Sequence, residues 1–315
     1  MTSGTNSKPG IGQVHEILVV GAGAMGSQIA MLCALAGYRA TATDITRDRL
    51  SRAETDLRTR LGRSVEKGRL TRHDADAAFG RLTLTTDLDA AAARSDFVIE
   101  AAAELLDVKQ EIFARLDAAA PLHTILTTNS STIVSSQLAQ VTTRPDQVAN
   151  MHFFSPALVM RCVEVVGSPA TSTATVSTTA ELARRLGKDP VVLNKEIPGF
   201  VANRILNAVR DEALYLLENG VSSVEDIDTA CRTALGYPMG PFELMDLTGI
   251  DIGYHAKLAR HAVSGDPRDT PSPTVTALVA RGELGRKTGT GFYRYDDQGR
   301  RHPRTNSGNQ ETDTP

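Results

Sequence analysis

The stretch VVGAGAMGSQIA, residues 19–30, constrains what this chain can fold into more than any other. Gly21, Gly23 and Gly26 follow the apolar run 17–20 and precede a helical pattern. The first glycine permits a tight turn, the second lets an anionic group approach the backbone, and the third lets the helix pack closely. The NH groups of the helix N-terminus then face that anion. The spacing alone is weak evidence, but the strand before it and the helix after it supply the context it needs. Asp44 adds to it, eighteen residues beyond Gly26 at the end of the next apolar run, ATATDIT. A carboxylate there hydrogen-bonds both ribose hydroxyls of a dinucleotide and repels a 2′-phosphate. NAD rather than NADP is the expected cofactor, with Arg47 as an opposing charge nearby. Gly21, Gly23, Ala24, Met25, Gly26 and Asp44 are its candidate ligands. Residues 17–38 carry no charge and are long enough to span a bilayer, yet the glycines mark them as strand, turn and helix instead.

Beyond this motif, short apolar runs alternate with helical patterns. Candidate strands are 17–20, 40–43, 82–84, 97–100, 125–127, 148–151, 162–166 and 191–193. Such alternation calls for a parallel, doubly wound α/β sheet of the Rossmann type. After Pro198 the pattern becomes helical. Apolar positions recur at helical spacing over 200–218, Gly220 supplies a stop, Ser222 to Glu225 reads as a capping box, and 241–263 reads as a further helix. The expected organisation is a Rossmann domain over 14–197 and an all-α C-terminal domain over 198–298. The polar ends, 1–13 and 299–315, read as disordered tails. A length of 315 residues with 41% hydrophobic and 23% charged content supports a two-domain globular chain.

A net charge of -3 offers no general attraction to nucleic acid or to an anionic membrane. Cys33, Cys162 and Cys231 are an odd number without metal-ligand spacing, so neither a disulfide framework nor a metal site is expected. The N-terminal residues show neither the apolar core of a secretory signal nor the arginines of a transit peptide, and the expected location is cytoplasmic.

The second and third strands are separated by about forty residues, too many for one short helix. Leu50, Leu57, Leu61 and Val65 mark a helical face, and Gly68 breaks it before a second short helix. This helical hairpin insertion carries nine basic and four acidic residues over 47–72. Such a charge beside the cofactor crevice suits a phosphate-rich second ligand such as coenzyme A, with Lys67 and Arg69 as candidates, although a solvated helix face accounts for any one of these residues equally well.

MHFFSPALVMRCVEVV, residues 151–166, places His152 and Glu164 in otherwise mostly apolar, strand-like sequence. A single histidine at a strand end is more often structural. Beside a dinucleotide, however, alcohol oxidation needs a base, and imidazole titrates near neutral pH. A carboxylate on the other ring nitrogen fixes the tautomer and stabilises imidazolium, and Glu164 is the natural partner.

Taken in order, GAGAMG, DFVIEAAAE, TNSST, MHFFSP, VEVV, IPGFVANRI, GYPMGPFELMDLTGID and LGRKTGTGFYRY resemble the L-3-hydroxyacyl-CoA dehydrogenase family, in its short, single-function 3-hydroxybutyryl-CoA dehydrogenase type. The resemblance implies that His152 is the catalytic base and Glu164 its partner, and that Ser131 and Asn203 hydrogen-bond the substrate's oxygens. It also implies that Glu104, Lys109 and Asn129 line the nicotinamide side of the cofactor, and that the chain forms a homodimer. Read singly, Ser131 is equally a helix N-cap, and Glu104 and Asn203 are polar residues at element ends. The chain departs from the family pattern at Ser155, at Leu105 and in NSST, which bears on acyl-chain preference and on the carrier. An acyl group tethered to a carrier protein, such as a glyceryl thioester in secondary metabolism, is therefore a second reading. A sugar-acid dehydrogenase and a non-enzymatic dinucleotide-binding protein are lesser ones.

Overall fold

Strand β1 (Glu16–Val20) shows why its sheet is covered on both faces. Ile17 and Val19 join one apolar cluster with Ile29 and Met31, while Leu18 and Val20 join another with Val98, Phe113 and Leu116. Alternate residues of a strand point to opposite faces, so burial on both sides demands the unbroken apolar run seen in the sequence. In the computed structural model, which describes residues 11–304, this strand lies within an eight-stranded sheet of order β3-β2-β1-β4-β5-β6-β7-β8. The others are β2 (Arg39–Thr43), β3 (Leu82–Thr85), β4 (Phe97–Glu100), β5 (Ile125–Thr128), β6 (Val148–Phe153), β7 (Cys162–Gly167) and β8 (Asp189–Leu193).

Each candidate strand is present, but the sheet is not wholly parallel. β7 runs antiparallel to β6, because the eight residues 154–161 between them are too few for a parallel crossover. The longer link through α7 (Thr173–Arg185) restores parallel pairing of β8 with β7.

Helix α1 (Gly26–Leu35) follows the glycine turn and is buried along most of its length. The insertion is α2 (Arg47–Glu66) and α3 (Arg72–Arg81). Thr46 caps α2 by accepting the Arg49 NH, and Gly68 ends it at φ 65°, donating to the Val65 carbonyl at 2.9 Å. Leu57 and Leu61 of α2 and Ala75 and Ala78 of α3 belong to the same cluster as the α1 side chains. The hairpin therefore packs its apolar face down rather than projecting free, and turns its arginines outward. Three further helices complete the first unit: α4 (Leu88–Ala92), α5 (Leu106–Ala119) and α6 (Ser135–Ala139).

The chain divides into two compact units between Val201 and Ala202. The second unit contains α8 (Ala202–Glu218), α9 (Val224–Thr233), α10 (Pro241–Thr248), α11 (Ile250–Ser264) and α12 (Pro273–Ala280). The run read as one helix over 241–263 is two, because Gly249 adopts φ 96° between them. The cap of α9 is Ser223 with Asp226 rather than Ser222 with Glu225: Ser223 accepts the Asp226 NH and donates to its carboxylate.

The motifs GYPMGPFELMD and GTGFYRY build this unit's core. Asp228 accepts the Phe242 and Glu243 NH groups and the Tyr293 hydroxyl, while Asp246 accepts the Phe292 and Tyr293 NH groups and the Tyr295 hydroxyl. Both carboxylates are buried, so each unmade bond would carry a desolvation cost. A Cβ at Gly291 would sit 2.1 Å from Asp246 Oδ1, which is why that position is glycine.

The expected tails need correction where they are described. Residues 11–13 form a 3₁₀ turn whose Ile11 packs on the core. At the other end β10 (Arg301–His302) pairs with β9 (Arg294–Tyr295), so the second unit is not purely helical. Asp296 closes that hairpin by accepting the Gln298 and Arg300 NH groups, and Arg304 pairs with Glu283 at 2.8 Å. The remaining tail residues lie outside the described region. Among the described residues no helix is long and apolar enough to cross a membrane.

Candidate active site

The three motif glycines have different physical reasons. Gly21 has φ 97°, and a Cβ there would lie 2.7 Å from the Ala101 carbonyl oxygen. A Cβ at Gly26 would lie 1.8 Å from the Gly21 oxygen, so this glycine lets α1 start against the turn. At Gly23 a Cβ would meet nothing within 4 Å. Packing does not require that glycine, whereas close approach of a pyrophosphate does. Ala24 and Met25 lead into α1, whose N-terminal NH groups begin there. Asp44 follows β2, and its side chain is 7% exposed. One of its oxygens accepts the Ala22 NH at 2.9 Å and the other the Ile45 NH at 2.8 Å, which ties the carboxylate to the glycine turn. The cation beside it is Arg49, at 3.4 Å, rather than the Arg47 suggested by sequence. An open turn beside a fixed carboxylate fits the dinucleotide.

At the C-terminal ends of β4 and β5 the structure places a charged network that sequence only partly disclosed. Lys109 is 1% exposed, and its Nζ lies 2.6 Å from Glu100 and 3.4 Å from Glu104. Lys109, which the resemblance assigns to the nicotinamide side of the cofactor, is thus buried and bridges Glu100 and Glu104. Glu100, also buried, further accepts the Ala102 NH and the Thr128 hydroxyl, each at 2.6 Å. Glu104 is bonded by Ser130 and Thr132. Burial pushes its carboxyl up, but the Ser130 hydrogen bond and the Lys109 charge outweigh that and hold it below the usual carboxylate range. Asn129 accepts the Phe153 NH at 2.8 Å and so links β5 to β6.

His152 and Glu164 are direct cross-strand partners on β6 and β7. His152 Nδ1 lies 2.9 Å from Glu164 Oε2, and both residues are buried. Glu164 Oε1 accepts the Val201 NH at 2.9 Å. The rings of Phe154 and Phe200 lie 4.5 and 5.6 Å from the imidazole, giving it an apolar collar. With Nδ1 turned to the carboxylate, Nε2 is the nitrogen left to meet a substrate hydroxyl.

Ser131 is half-buried just beyond β5 and does not cap a helix; its carbonyl accepts the Gly199 NH at 2.9 Å. Its loop is held by Asn150, which is buried, accepts the Ser135 NH at 2.7 Å and donates to the Ser130 and Ile133 carbonyls. Asn150, Glu100 and Ser130 escaped the sequence reading. The available signal was a polar residue inside a buried run, NMHFF and FVIE. Lys67 and Arg69 are exposed at the end of α2 and form no ion pair among the described residues. Asn203 stands half-buried in the first turn of α8, in the second unit. Among the described residues no group of three or more His, Cys, Asp or Glu side chains could hold a metal.

The description "3-hydroxyacyl-CoA dehydrogenase, NAD binding domain" matches residues 16–197, and the C-terminal domain of the same family matches 199–295. The mitochondrial hydroxyacyl-coenzyme A dehydrogenase of Homo sapiens is 40% identical over 288 residues, covering 90% of this chain and 91% of that protein. A probable 3-hydroxybutyryl-CoA dehydrogenase of Bacillus subtilis is 37% identical over 286 residues, covering 91% and 99%. The solved (S)-3-hydroxybutyryl-CoA dehydrogenase from Ralstonia eutropha aligns with a TM-score of 0.82 at 36% identity, over 90% of this chain and 100% of that one. With its glycine turn, its aspartate after β2 and a family match over both units, this chain belongs to the 3-hydroxyacyl-CoA dehydrogenase family and is an NAD-dependent oxidoreductase.

Proposed function

We propose that the chain oxidises a short L-3-hydroxyacyl-CoA, such as 3-hydroxybutyryl-CoA, to the 3-ketoacyl-CoA, and catalyses the reverse reaction. The observation that carries this reading is the buried His152–Glu164 pair at 2.9 Å in a chain of this family. NAD, when bound, supplies the hydride acceptor for the C3 hydrogen. His152 Nε2 takes the C3 hydroxyl proton, and the Nδ1–H bond to Glu164 supports the resulting imidazolium. Ser131 and Asn203 orient the substrate oxygens. Asp44 and the glycine turn hold the adenosine and pyrophosphate, Glu104 and Asn129 border the nicotinamide, and Lys109 sets Glu104 in place. Lys67 and Arg69 meet the phosphates of coenzyme A.

The relatives named above are described as CoA enzymes, and this favours CoA over the carrier-protein alternative. The same reading includes a cytoplasmic homodimer built on the second unit. Exposed apolar side chains there, among them Tyr215, Leu235, Ile252 and Leu258, support that association. The test is oxidation of the two enantiomers of 3-hydroxybutyryl-CoA with NAD. Equimolar NADH and acetoacetyl-CoA from the (S) form alone is the expected result; NADH from neither form would refute the proposal.

A further inference from the structure

Among the described residues Phe200 alone, glycines aside, adopts a positive φ, 46°. A bulky side chain rarely takes that conformation, and it persists only where the surroundings fix it. The residues before it explain part of the path. Pro198 and Gly199 occupy the middle of a turn closed by the Phe200 NH on the Ile197 carbonyl at 3.0 Å, and Gly199 has the φ of 79° that a Pro-Gly turn requires at its third position. Phe200 leaves this turn buried at 1% exposure, while Ile197 and Val201 nearby remain exposed.

The ring arrives at the candidate site. Three successive residues of the first unit each meet one of the groups assigned to the reaction. The Gly199 NH donates to the Ser131 carbonyl at 2.9 Å, the Phe200 ring lies 5.6 Å from the His152 imidazole at an angle of 52°, and the Val201 NH donates to Glu164 Oε1 at 2.9 Å. Upstream, Glu196 anchors the same segment: its Oε1 accepts the Ser135 hydroxyl at 2.6 Å and the Ser136 NH at 2.8 Å, at the start of α6. The loop that carries Ser131 is thus held at both ends by residues 196–199. Rotation about φ of Phe200 turns the Val201 NH relative to the Gly199 NH, and the strained value is the one at which both bonds are made together.

We infer that residues 196–201 set the relative position of Ser131, His152 and Glu164, with Phe200 as the positioning residue for the imidazole and Glu196 as the anchor. This rests on the reading above, in which His152 accepts the hydroxyl proton. A single hydrogen bond from Nδ1 to Glu164 fixes a direction but leaves the ring plane free to swing about it. The tilted Phe200 ring, with Phe154 as a second contact, limits that swing and so aims Nε2. A reacting group displaced by about 1 Å loses roughly 10²-fold in rate, so small movements here are costly.

The test measures kcat and KM for NADH oxidation with acetoacetyl-CoA in the unaltered protein and in Phe200→Ala, Phe200→Leu, Glu196→Ala and Glu196→Gln. Phe200→Ala should lower kcat about 10- to 100-fold with the KM for NADH held within about twofold, and Phe200→Leu, which keeps apolar bulk, should restore part of the loss. Glu196 is half-buried and touches none of the reacting groups. Glu196→Ala should nevertheless lower kcat, and Glu196→Gln, whose amide oxygen still accepts both bonds, should restore it. In a His152→Gln background Phe200→Ala should cost nothing further, because a positioning residue acts through the imidazole. The same proportional loss with and without His152, or full kcat in both alanine variants, would overturn the inference and leave the dehydrogenase reading intact. If Phe200→Ala does not fold, the Glu196 pair decides alone, and full kcat in Glu196→Ala overturns the inference. No turnover by the unaltered protein would remove the proposed function and this inference together.

Discussion

Glu164 presents its two oxygens to two different donors: Oε2 lies 2.9 Å from His152 Nδ1, and Oε1 lies 2.9 Å from the Val201 NH. The residue that orients the proposed base thus also holds the last residue of the first unit. A carboxylate can accept from both sides, whereas an amide must turn an NH₂ group toward one of them. Glu164→Gln should therefore lower kcat by roughly 10²–10⁴. NADH affinity, followed by fluorescence titration, should change little, because the cofactor contacts lie elsewhere. Full turnover in this variant would remove Glu164 from the mechanism.

The glycines of the turn should separate folding from binding. Gly23→Ala adds a methyl where nothing stands within 4 Å, so the thermal midpoint should hold while the KM for NAD rises at least severalfold. Gly26→Ala drives a Cβ to 1.8 Å from the Gly21 oxygen and should lower the midpoint by several degrees. Equal stability losses in the two variants would contradict the roles assigned here.

Cofactor choice should turn on Asp44. Replacing it with serine removes the charge that repels a 2′-phosphate and leaves Arg49, formerly 3.4 Å from that carboxylate, able to attract one. The ratio of kcat/KM for NADP to that for NAD should rise by about tenfold or more, which parallel assays with the two cofactors would measure. An unchanged ratio would show that another group sets the preference.

Stability in acid should depend on Asp117 and Arg144. Arg144 is 5% exposed and bonds Asp117 Oδ1 at 2.7 Å, together with the carbonyls of Asp117, Ala120 and Pro121 at the end of α5. Burial pushes the Asp117 carboxyl up, but hydrogen bonds from Thr143 and Arg144 prevail and hold it below its ordinary value. A depressed folded pKa contributes stability above the unfolded value, about 3.9, and that contribution is lost as pH falls through the folded value. Asp117→Asn should flatten the acid limb of a denaturation series below about pH 4. Arg144→Met should cost about 1–3 kcal/mol at neutral pH, because it removes the donor shared by the half-buried Asp117 carboxylate and the carbonyls at the end of α5. A loss near zero in urea titration would place the pair among exposed ones.

Central strands such as β1 and β4 were legible because burial on both faces requires short unbroken apolar runs, whereas the edge strands β3 and β8, part-buried or exposed, were legible only from the alternation with helical patterns. The reversal of β7 was not, since strand direction depends on the length of the 154–161 link rather than on strand composition. His152 and Glu164 could be paired from sequence because each is a lone polar group in an apolar run. The partner of Lys109 was not legible, because Glu100 ends an apolar strand nine residues earlier and only the fold brings the two side chains together. The division of the helix over 241–263 at Gly249 was hidden as well, because an isolated glycine within a helical pattern is tolerated as often as it terminates one.

The central claim, that His152 is the proton acceptor of a hydroxyacyl-CoA dehydrogenase, is tested most directly by NADH oxidation with acetoacetyl-CoA, comparing the unaltered protein with His152→Gln. Rapid turnover in the first and a loss of roughly 10³-fold or more in kcat in the second, with NADH affinity retained, is the predicted result. Negligible turnover by the unaltered protein, or comparable turnover by both, would contradict it.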